Sequence, residues 1–293
     1  MLYINEPCIV VGKHQNLLSE INLPYSIENN IKLARRISGG GTVYQDSNNL
    51  NFSFIHNCPN LDQISFEKFT TPVLNALKEM GLNVQFSGRH DILIDDKKVS
   101  GNAMHVYRKR VLSHGTLLYN ADLKQLSNAL KTDPHKYLDK SIKSVRSKVT
   151  NISGYLPNFV PMEQFCEQLF HNILNQMTSP YIGDITLEET ELIQKIAFAK
   201  FEIWNWIYGY SPKYIFQNSL KLSNELTPFE LKIENGIIKS VNVVSPDQVY
   251  KHAFELLREV KHDYYAIKEV LQNDVIITNT TSFNLSAFCD QLF

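Results

Sequence analysis

The densest chemical signal in the chain is Arg35-Arg36-Ile37-Ser38-Gly39-Gly40-Gly41-Thr42-Val43-Tyr44. Three consecutive glycines leave the backbone bare, so a ligand can approach it closely. The N–H groups of such a loop form a concavity that favours anions. An arginine beside it can grip a phosphate or carboxylate through paired hydrogen bonds. No Gly-Lys-Ser or Gly-Lys-Thr follows, which excludes a P-loop. The glycines alone fit an ordinary turn equally well. The adjoining arginine pair is what points to an anion site.

A second segment runs from Gly88-Arg89-His90-Asp91 through Asp95-Asp96-Lys97-Lys98 to Gly101-Asn102-Ala103. Asp95-Asp96-Lys97 reads as a hairpin turn, and Lys98 then opens a strand whose glycine allows close backbone contact. A lysine there can stabilise charge on a phosphate or a developing oxyanion. By residue type alone it reads as a solvated strand end. His114-Gly115-Thr116 is a third segment, in which the histidine either orients a ligand or sits as a partly buried polar residue. Lys136, Lys140, Lys143, Arg146 and Lys148 concentrate positive charge, as a solvated face or as a docking patch for an acidic partner.

The elements that position these residues follow from periodicity. Cys8 to Gly12, Gly41 to Tyr44 and Leu50 to Ile55 read as strands, within a series of strands and turns over 7–56. Phe66, Phe69, Val73, Ala76, Leu77 and Met80 predict a helix ending near Gly81. Strands follow at Asp91 to Asp95, Lys98 to Tyr107 and Val111 to Tyr119. Met162, Phe165, Leu169, Phe170, Ile173, Leu174 and Met177 form a helical stripe. Thr186-Leu187-Glu188-Glu189 is a capping box. Asn235-Gly236 between two β-rich runs is a two-residue hairpin. Ser245-Pro246 opens a helix, with serine as its cap, and Ala266 to Leu271 gives another.

The chain has 293 residues, 43% of them hydrophobic and 20% charged, which predicts a folded protein of two domains. A formal net charge of −1 gives no bulk attraction to nucleic acid or to an anionic membrane surface. No signal peptide or spanning run is present, so the expected compartment is the cytoplasm. Cys8, Cys58, Cys166 and Cys289 are widely separated and read as reduced, mostly buried thiols.

Taken together and in order, these segments resemble the lipoate–protein ligase family. The resemblance is carried by Glu6-Pro7-Cys8 through Asn16, Arg35 through Asn51, Gly88 through Ala103, His114 through Leu123, and Ser144-Val145-Arg146-Ser147-Lys148-Val149-Thr150-Asn151. It extends to Trp204-Asn205-Trp206 and a small C-terminal domain. It implies an α+β fold of the biotin/lipoate protein ligase type. Residues 1–217 would be a catalytic lipoate- and ATP-binding domain, a mixed β-sheet packed with helices. Residues 218–293 would be a small α+β accessory domain. The implied reaction activates lipoate with ATP to lipoyl-AMP and transfers it to a lysine of a lipoyl domain. Implied carriers are the 2-oxoacid dehydrogenase acyltransferase subunits and the glycine-cleavage carrier protein, with Mg2+ as the ion.

By the same resemblance, Arg36, Gly41, Thr42, Val43 and Tyr44 lie against the nucleotide and phosphate, with Gly39 and Gly40 beside them. Lys98 is the catalytic residue, holding the lipoate carboxylate and the α-phosphate together. Asp91 and His114 fall on positions near the site. Val43, Ile55 and Val99 are candidates for the apolar slot of the lipoyl tail. Some features depart from the family pattern. Its usual His-Asp-Leu-Gly-Asn reads Gln45-Asp46-Ser47-Asn48-Asn49 here, and its Gly-Arg-Asn-Asp reads Gly88-Arg89-His90-Asp91. The family's strand and helix before Glu6-Pro7-Cys8 are expected to be missing. Two other readings share these motifs: a transferase that accepts only preformed lipoyl-AMP, and a non-catalytic relative that binds lipoyl domains. A cysteine-dependent acyl transferase lacks its nucleophile, because no cysteine falls between Cys58 and Cys166.

Overall fold

The structure, a computed structural model, describes residues 1–58, 60, 62, 64–88, 90–222, 225–245 and 247–293. Arg89 and Pro246, both singled out in the sequence, lie outside these residues. The chain forms two compact units. The first comprises Met1–Lys13, Ile31–Asn128 and Ser144–Lys195; the second comprises His14–Asn30, Ala129–Lys143 and Ile196–Phe293.

The first unit contains β1 (Leu2–Ile4), β2 (Cys8–Val11), β3 (Lys32–Arg35), β4 (Val43–Gln45), β5 (Asn49–Asn57), β6 (Gln85–Phe86), β7 (Asp91–Ile94), β8 (Lys97–Tyr107) and β9 (Arg110–Leu118). One sheet has the order β1-β5-β9-β8-β7-β6, with every neighbouring pair antiparallel. A smaller sheet, β3-β2-β4, pairs β2 parallel to β3 and antiparallel to β4. Inward residues of the large sheet, such as Leu50, Phe52 and Leu117, share one core with two helices. Helix Phe66–Glu79 buries Phe69, Val73, Ala76 and Leu77, and helix Met162–Leu174 buries Phe165, Leu169 and Ile173. Spacings of three and four residues put each set on a single face, and each large side chain so enclosed contributes about 1.5–3 kcal/mol.

Local chemistry sets the turns and helix starts. Asp95 and Asp96 have φ of 49° and 59°, the left-handed pair that closes a two-residue hairpin between β7 and β8. The Thr186 N–H donates to the Glu189 carboxylate at 2.9 Å, and the Glu189 N–H donates back to the Thr186 hydroxyl at 3.2 Å. This is the expected capping box, and it starts helix Leu187–Ile196.

The second unit is built on β10 (Tyr137–Asp139), β11 (Tyr214–Leu222), β12 (Glu225–Glu234) and β13 (Ile237–Val243), an antiparallel sheet in that order. The expected 217/218 boundary falls inside β11, and this unit also takes in two segments from earlier in the chain. The Asn235-Gly236 turn forms as read, with φ of 52° and 72°. Helix Gln248–Leu256 is capped by Asp247, not Ser245. The Asp247 carboxylate accepts the Val249 and Tyr250 N–H groups at 2.8 and 3.3 Å, outcompeting a serine two residues further out. The second expected helix is longer, Tyr264–Gln272, because Asp263 caps it. Residues 17–28, read as strands and turns, hold helices Leu17–Glu20 and Leu23–Glu28. Both are too short to show a periodicity. The signal that was available is Asn22, whose side chain accepts the Tyr25 N–H at 3.2 Å one residue before Leu23-Pro24.

His262 gives this unit a pH dependence. Its Nδ1 meets the Tyr214 hydroxyl at 2.8 Å, its Nε2 meets the Leu292 carbonyl at 2.7 Å, and burial pushes its pKa from 6.5 down to about 4. The unfolded chain therefore binds a proton there more readily than the folded one. The contribution to stability is full above about 6.5 and is lost as pH falls toward 4, up to ~3 kcal/mol. Thermal unfolding of the parent and of His262→Gln should show the parent's advantage shrinking from pH 7.5 to pH 5. A constant gap across that range contradicts this account.

Candidate active site

The glycine loop connects β3 to β4, the two strands that flank β2. Arg36 follows β3 directly, and the loop closes around its guanidinium. Nη1 donates to the Val10 carbonyl at 2.9 Å, Nη2 to the Gly39 and Gly41 carbonyls at 2.7 Å each, and Nε to the Ser38 hydroxyl at 3.1 Å. Desolvation pushes the Arg36 pKa down to about 10, which still leaves a cation at neutral pH. Gly40 has φ of +86°, and a Cβ there would lie 3.2 Å from Arg36 Nη2. A side chain at Gly40 would be strained twice, by backbone conformation and by the arginine beneath it. Arg35 is 2% exposed and donates to the Gly12 and Lys13 carbonyls at 3.1 and 3.2 Å. The arginine pair thus faces backbone carbonyls and gives the loop its shape.

The loop's N–H side is engaged at Thr42, which donates to the Ser144 hydroxyl at 2.8 Å. Ser144 also packs on Gly41, where a Cβ would come within 3.1 Å of Ser144 Oγ. Ser38 Oγ lies 2.7 Å from His114 Nε2. Burial first, then the Arg36 and His105 charges, push the His114 pKa down to about 4, so its imidazole is neutral at pH 7. Val43 opens β4, and Tyr44 is buried with its hydroxyl bonded to Gln125.

Lys98 is fixed from three directions. Its N–H donates to the Lys148 carbonyl at 2.8 Å, and its own carbonyl accepts the Thr150 N–H at 3.0 Å. Its ammonium meets Asp91 Oδ1 at 2.9 Å, with the two side chains 25% and 20% exposed. In the β7–β8 register Leu93 pairs with Lys98 while Ile92 pairs with Ser100, a bulge at Val99. The amine lies against Gly101, the register partner of Asp91; a Cβ there would stand 3.1 Å from Lys98 Nζ. Glycine leaves that berth open. Asn102 Nδ2 donates to the His90 carbonyl at 2.6 Å, and His90 has φ of +83°. A Cβ on Gly115 would collide with Asn102 Oδ1 and stand 2.6 Å from Phe52 Cζ, so the glycine of the His114-Gly115 segment is a packing requirement.

Strand β8 joins these parts. Ala103, which pairs with His114, sits beside the Gly40 end of the loop, and Lys98 lies near the start of the same strand. Five residues of strand separate them, on the order of 15 Å. Strand β8 thus carries a cation near its start and, further along, runs beside the glycine loop and the neutral His114. Two expected slot residues do not share a wall. Val99 is enclosed in the core and Ile55 is 72% exposed, because Val99 points away from its strand neighbour Lys98 and Ile55 lies on the outer face of β5. Ser38 and Ser144 complete the site through contacts across long stretches of sequence. The cysteines are free, with Cys166 half-buried and the others buried. A cleft of about 520 Å³ lies in the second unit, lined by Lys136, Gln217, Asn218 and Glu230 among others, and involves none of these residues.

The chain is similar to known proteins over most of its length. The family model described as the lipoyl protein ligase A/B catalytic domain matches residues 1–174. The chain is 40% identical over 243 residues to Lipoate–protein ligase 1 of Staphylococcus aureus, covering 83% of this chain and 74% of that protein. Similar solved structures include three that concern lipoate or its ligases. The bipartite lipoate protein ligase of Thermoplasma acidophilum, studied with its E2 lipoyl domain, has a TM-score of 0.61 and 25% identity over 71% of this chain and 83% of that one. P. falciparum LipL1 in complex with lipoate has a TM-score of 0.59 and 25% identity over 93% of this chain and 81% of that one. A lipoate-protein ligase A bound with ATP has a TM-score of 0.60 and 25% identity over 71% of this chain and 85% of that one.

Proposed function

Because the chain belongs to the lipoyl protein ligase A/B catalytic-domain family, we infer that it is an ATP-dependent lipoate–protein ligase. It activates lipoate as lipoyl-AMP and passes the acyl group to a lysine of a lipoyl domain. Residues 1–217 supply the chemistry and 218–293 are accessory. The observation that carries the reading is a cation, Lys98, held near the start of the strand that also meets the glycine loop.

Attack of a carboxylate on the α-phosphate brings two anions together, and pre-placed positive charge offsets their repulsion. Lys98 supplies that charge where carboxylate and α-phosphate meet. The loop from Gly39 to Tyr44, shaped by Arg36, receives the nucleotide. Thr42 exchanges its bond to Ser144 for a ligand oxygen. Neutral His114, next to Ser38, presents an uncharged surface to the acyl chain. No three acidic, histidine or cysteine side chains gather as a metal cluster among the described residues. An ion carried on the phosphates of ATP, the usual habit of Mg2+, would need no such cluster. When bound, Mg2+ would add neutralising charge, and the residues that hold it are those that hold the phosphates. The mixed anhydride then gives its acyl group to the carrier amine, and AMP leaves.

The carriers are lipoyl domains of 2-oxoacid dehydrogenase acyltransferase subunits and the glycine-cleavage carrier protein. Lys140 is exposed, whereas Lys143 already pairs with Asp139 at 2.9 Å. Replacing both by glutamate should raise the carrier KM and weaken its salt dependence; an unchanged KM removes the basic segment from docking. No described helix is long and apolar enough to cross a membrane, and a cytoplasmic location fits the carriers.

The test is transfer of labelled lipoate to an apo-lipoyl domain with and without ATP. ATP-dependent labelling supports the ligase. Labelling only from preformed lipoyl-AMP supports a transferase, and binding without labelling supports a non-catalytic relative.

A further inference from the structure

The proposed reaction raises a chemical problem that Asp91 answers. The activated acyl group is a mixed anhydride, and its intended acceptor is a lysine amine. Lys98 is also a lysine amine, placed where the anhydride forms. Deprotonated, its lone pair would attack the carbonyl carbon. A C–N bond would form as the bond from carbonyl carbon to phosphate oxygen breaks. AMP would leave, the amine's proton would pass to solvent, and the enzyme would end as an inert amide on its own catalytic lysine. Lys98 and the acceptor have the same nucleophile, so only their surroundings can distinguish them.

Those surroundings are specific at Lys98. Asp91 Oδ1 lies 2.9 Å from Nζ, in a pair whose side chains are only 25% and 20% exposed. By contrast, the Lys32–Glu6 pair of the same unit stands 71% and 73% exposed. The Lys98 backbone is bonded on both sides to Lys148 and Thr150, so the residue cannot slide along its strand. Its amine rests over Gly101, the register partner of Asp91, where a Cβ would stand 3.1 Å away. The backbone is fixed, and in the structure the amine lies within hydrogen-bond distance of the Asp91 carboxylate. A carboxylate at this distance accepts a charge-assisted hydrogen bond from an ammonium, and an ammonium has no lone pair.

We propose that Asp91 is a positioning residue that holds the Lys98 ammonium in a charge-assisted hydrogen bond and so keeps the enzyme from lipoylating itself. The carboxylate leaves the cation free to stabilise phosphate charge and denies it the role of acceptor. This rests on the adenylate reading of the site.

The test uses the full chain, as parent, Asp91→Asn and Asp91→Glu. Each is incubated with lipoate, ATP and Mg2+ without carrier, and in a second arm with chemically prepared lipoyl-AMP. Pyrophosphate release reads adenylation, and intact mass with peptide mapping reads acylation of Lys98. In Asp91→Asn, Lys98 should gain one lipoyl group roughly tenfold or more faster than in the parent, the value of one charge-assisted hydrogen bond. Asp91→Glu should stay close to the parent, and Asp91→Asn with Lys98→Arg should show no adduct at that position. The prepared adenylate reads acylation even where Asp91→Asn no longer makes its own. No faster acylation of Lys98 in Asp91→Asn in that arm overturns the proposal. Failure of the parent to release pyrophosphate counts against the ligase reading instead and leaves that arm decisive for Asp91.

Discussion

Lys98→Ala should lower lipoate transfer by about 10²–10³-fold, with both pyrophosphate release and carrier labelling affected. That magnitude is typical for removing one pre-placed group that stabilises transition-state charge. The loss should appear in activity and not in folding. The Lys98 backbone bonds to Lys148 and Thr150 do not depend on the side chain, and the Asp91 carboxylate left behind reaches solvent at 20% exposure. Melting within a few degrees of the parent, with transfer nearly abolished, is the expected pair of results. Supplying lipoyl-AMP tests the division of labour. A cation that serves both half-reactions leaves the variant slow even with the adenylate provided. Full recovery on lipoyl-AMP would confine Lys98 to the adenylation step.

Much of this architecture is local and therefore legible. Asn235-Gly236 and Asp95-Asp96 announce hairpins because their residues tolerate positive φ, and both turns form. Thr186 and Glu189 announce a helix start because their groups satisfy each other across one turn. The stripes of the helices at 66–79 and 162–174 follow from side-chain spacing alone. The site is legible only in part. Gly39 to Gly41 mark a bare loop, but nothing local says that Arg36 fills it. Thr42 and Ser144 are 102 residues apart and Ser38 and His114 are 76 apart, so their bonds depend on the completed sheet. Val99 was a plausible wall of an acyl slot because valine is apolar. Successive side chains of a strand face opposite ways, so with Lys98 turned to Asp91 its neighbour Val99 is buried in the core. Asp247 displaced Ser245 as a cap because both types suit that position, and tertiary register decides between them.

Arg36 offers a sharper test of the loop, because two chemistries predict different variants. If its guanidinium gripped phosphate directly, Arg36→Lys would retain a point charge and a share of ATP affinity. The structure assigns it to the Val10, Gly39 and Gly41 carbonyls and the Ser38 hydroxyl instead. An ammonium on a flexible stem cannot match that planar fork, which reaches several acceptors in fixed directions. Arg36→Lys and Arg36→Ala should therefore behave alike, each losing about 3 kcal/mol of stability as carbonyls of the loop lose their donors. Each should lose on the order of 10²-fold in kcat/KM for ATP as the loop loses its preformed shape. Ser38 would also be released from the guanidinium, so His114 should lose its fixed neighbour. The His114 pKa, titrated through its imidazole resonances and lowered by burial first and by the Arg36 charge second, should rise in Arg36→Ala and rise less in Arg36→Lys, which keeps a cation there. An Arg36→Lys enzyme that keeps most of its ATP affinity while Arg36→Ala loses it would show that the guanidinium leaves its carbonyls when nucleotide binds.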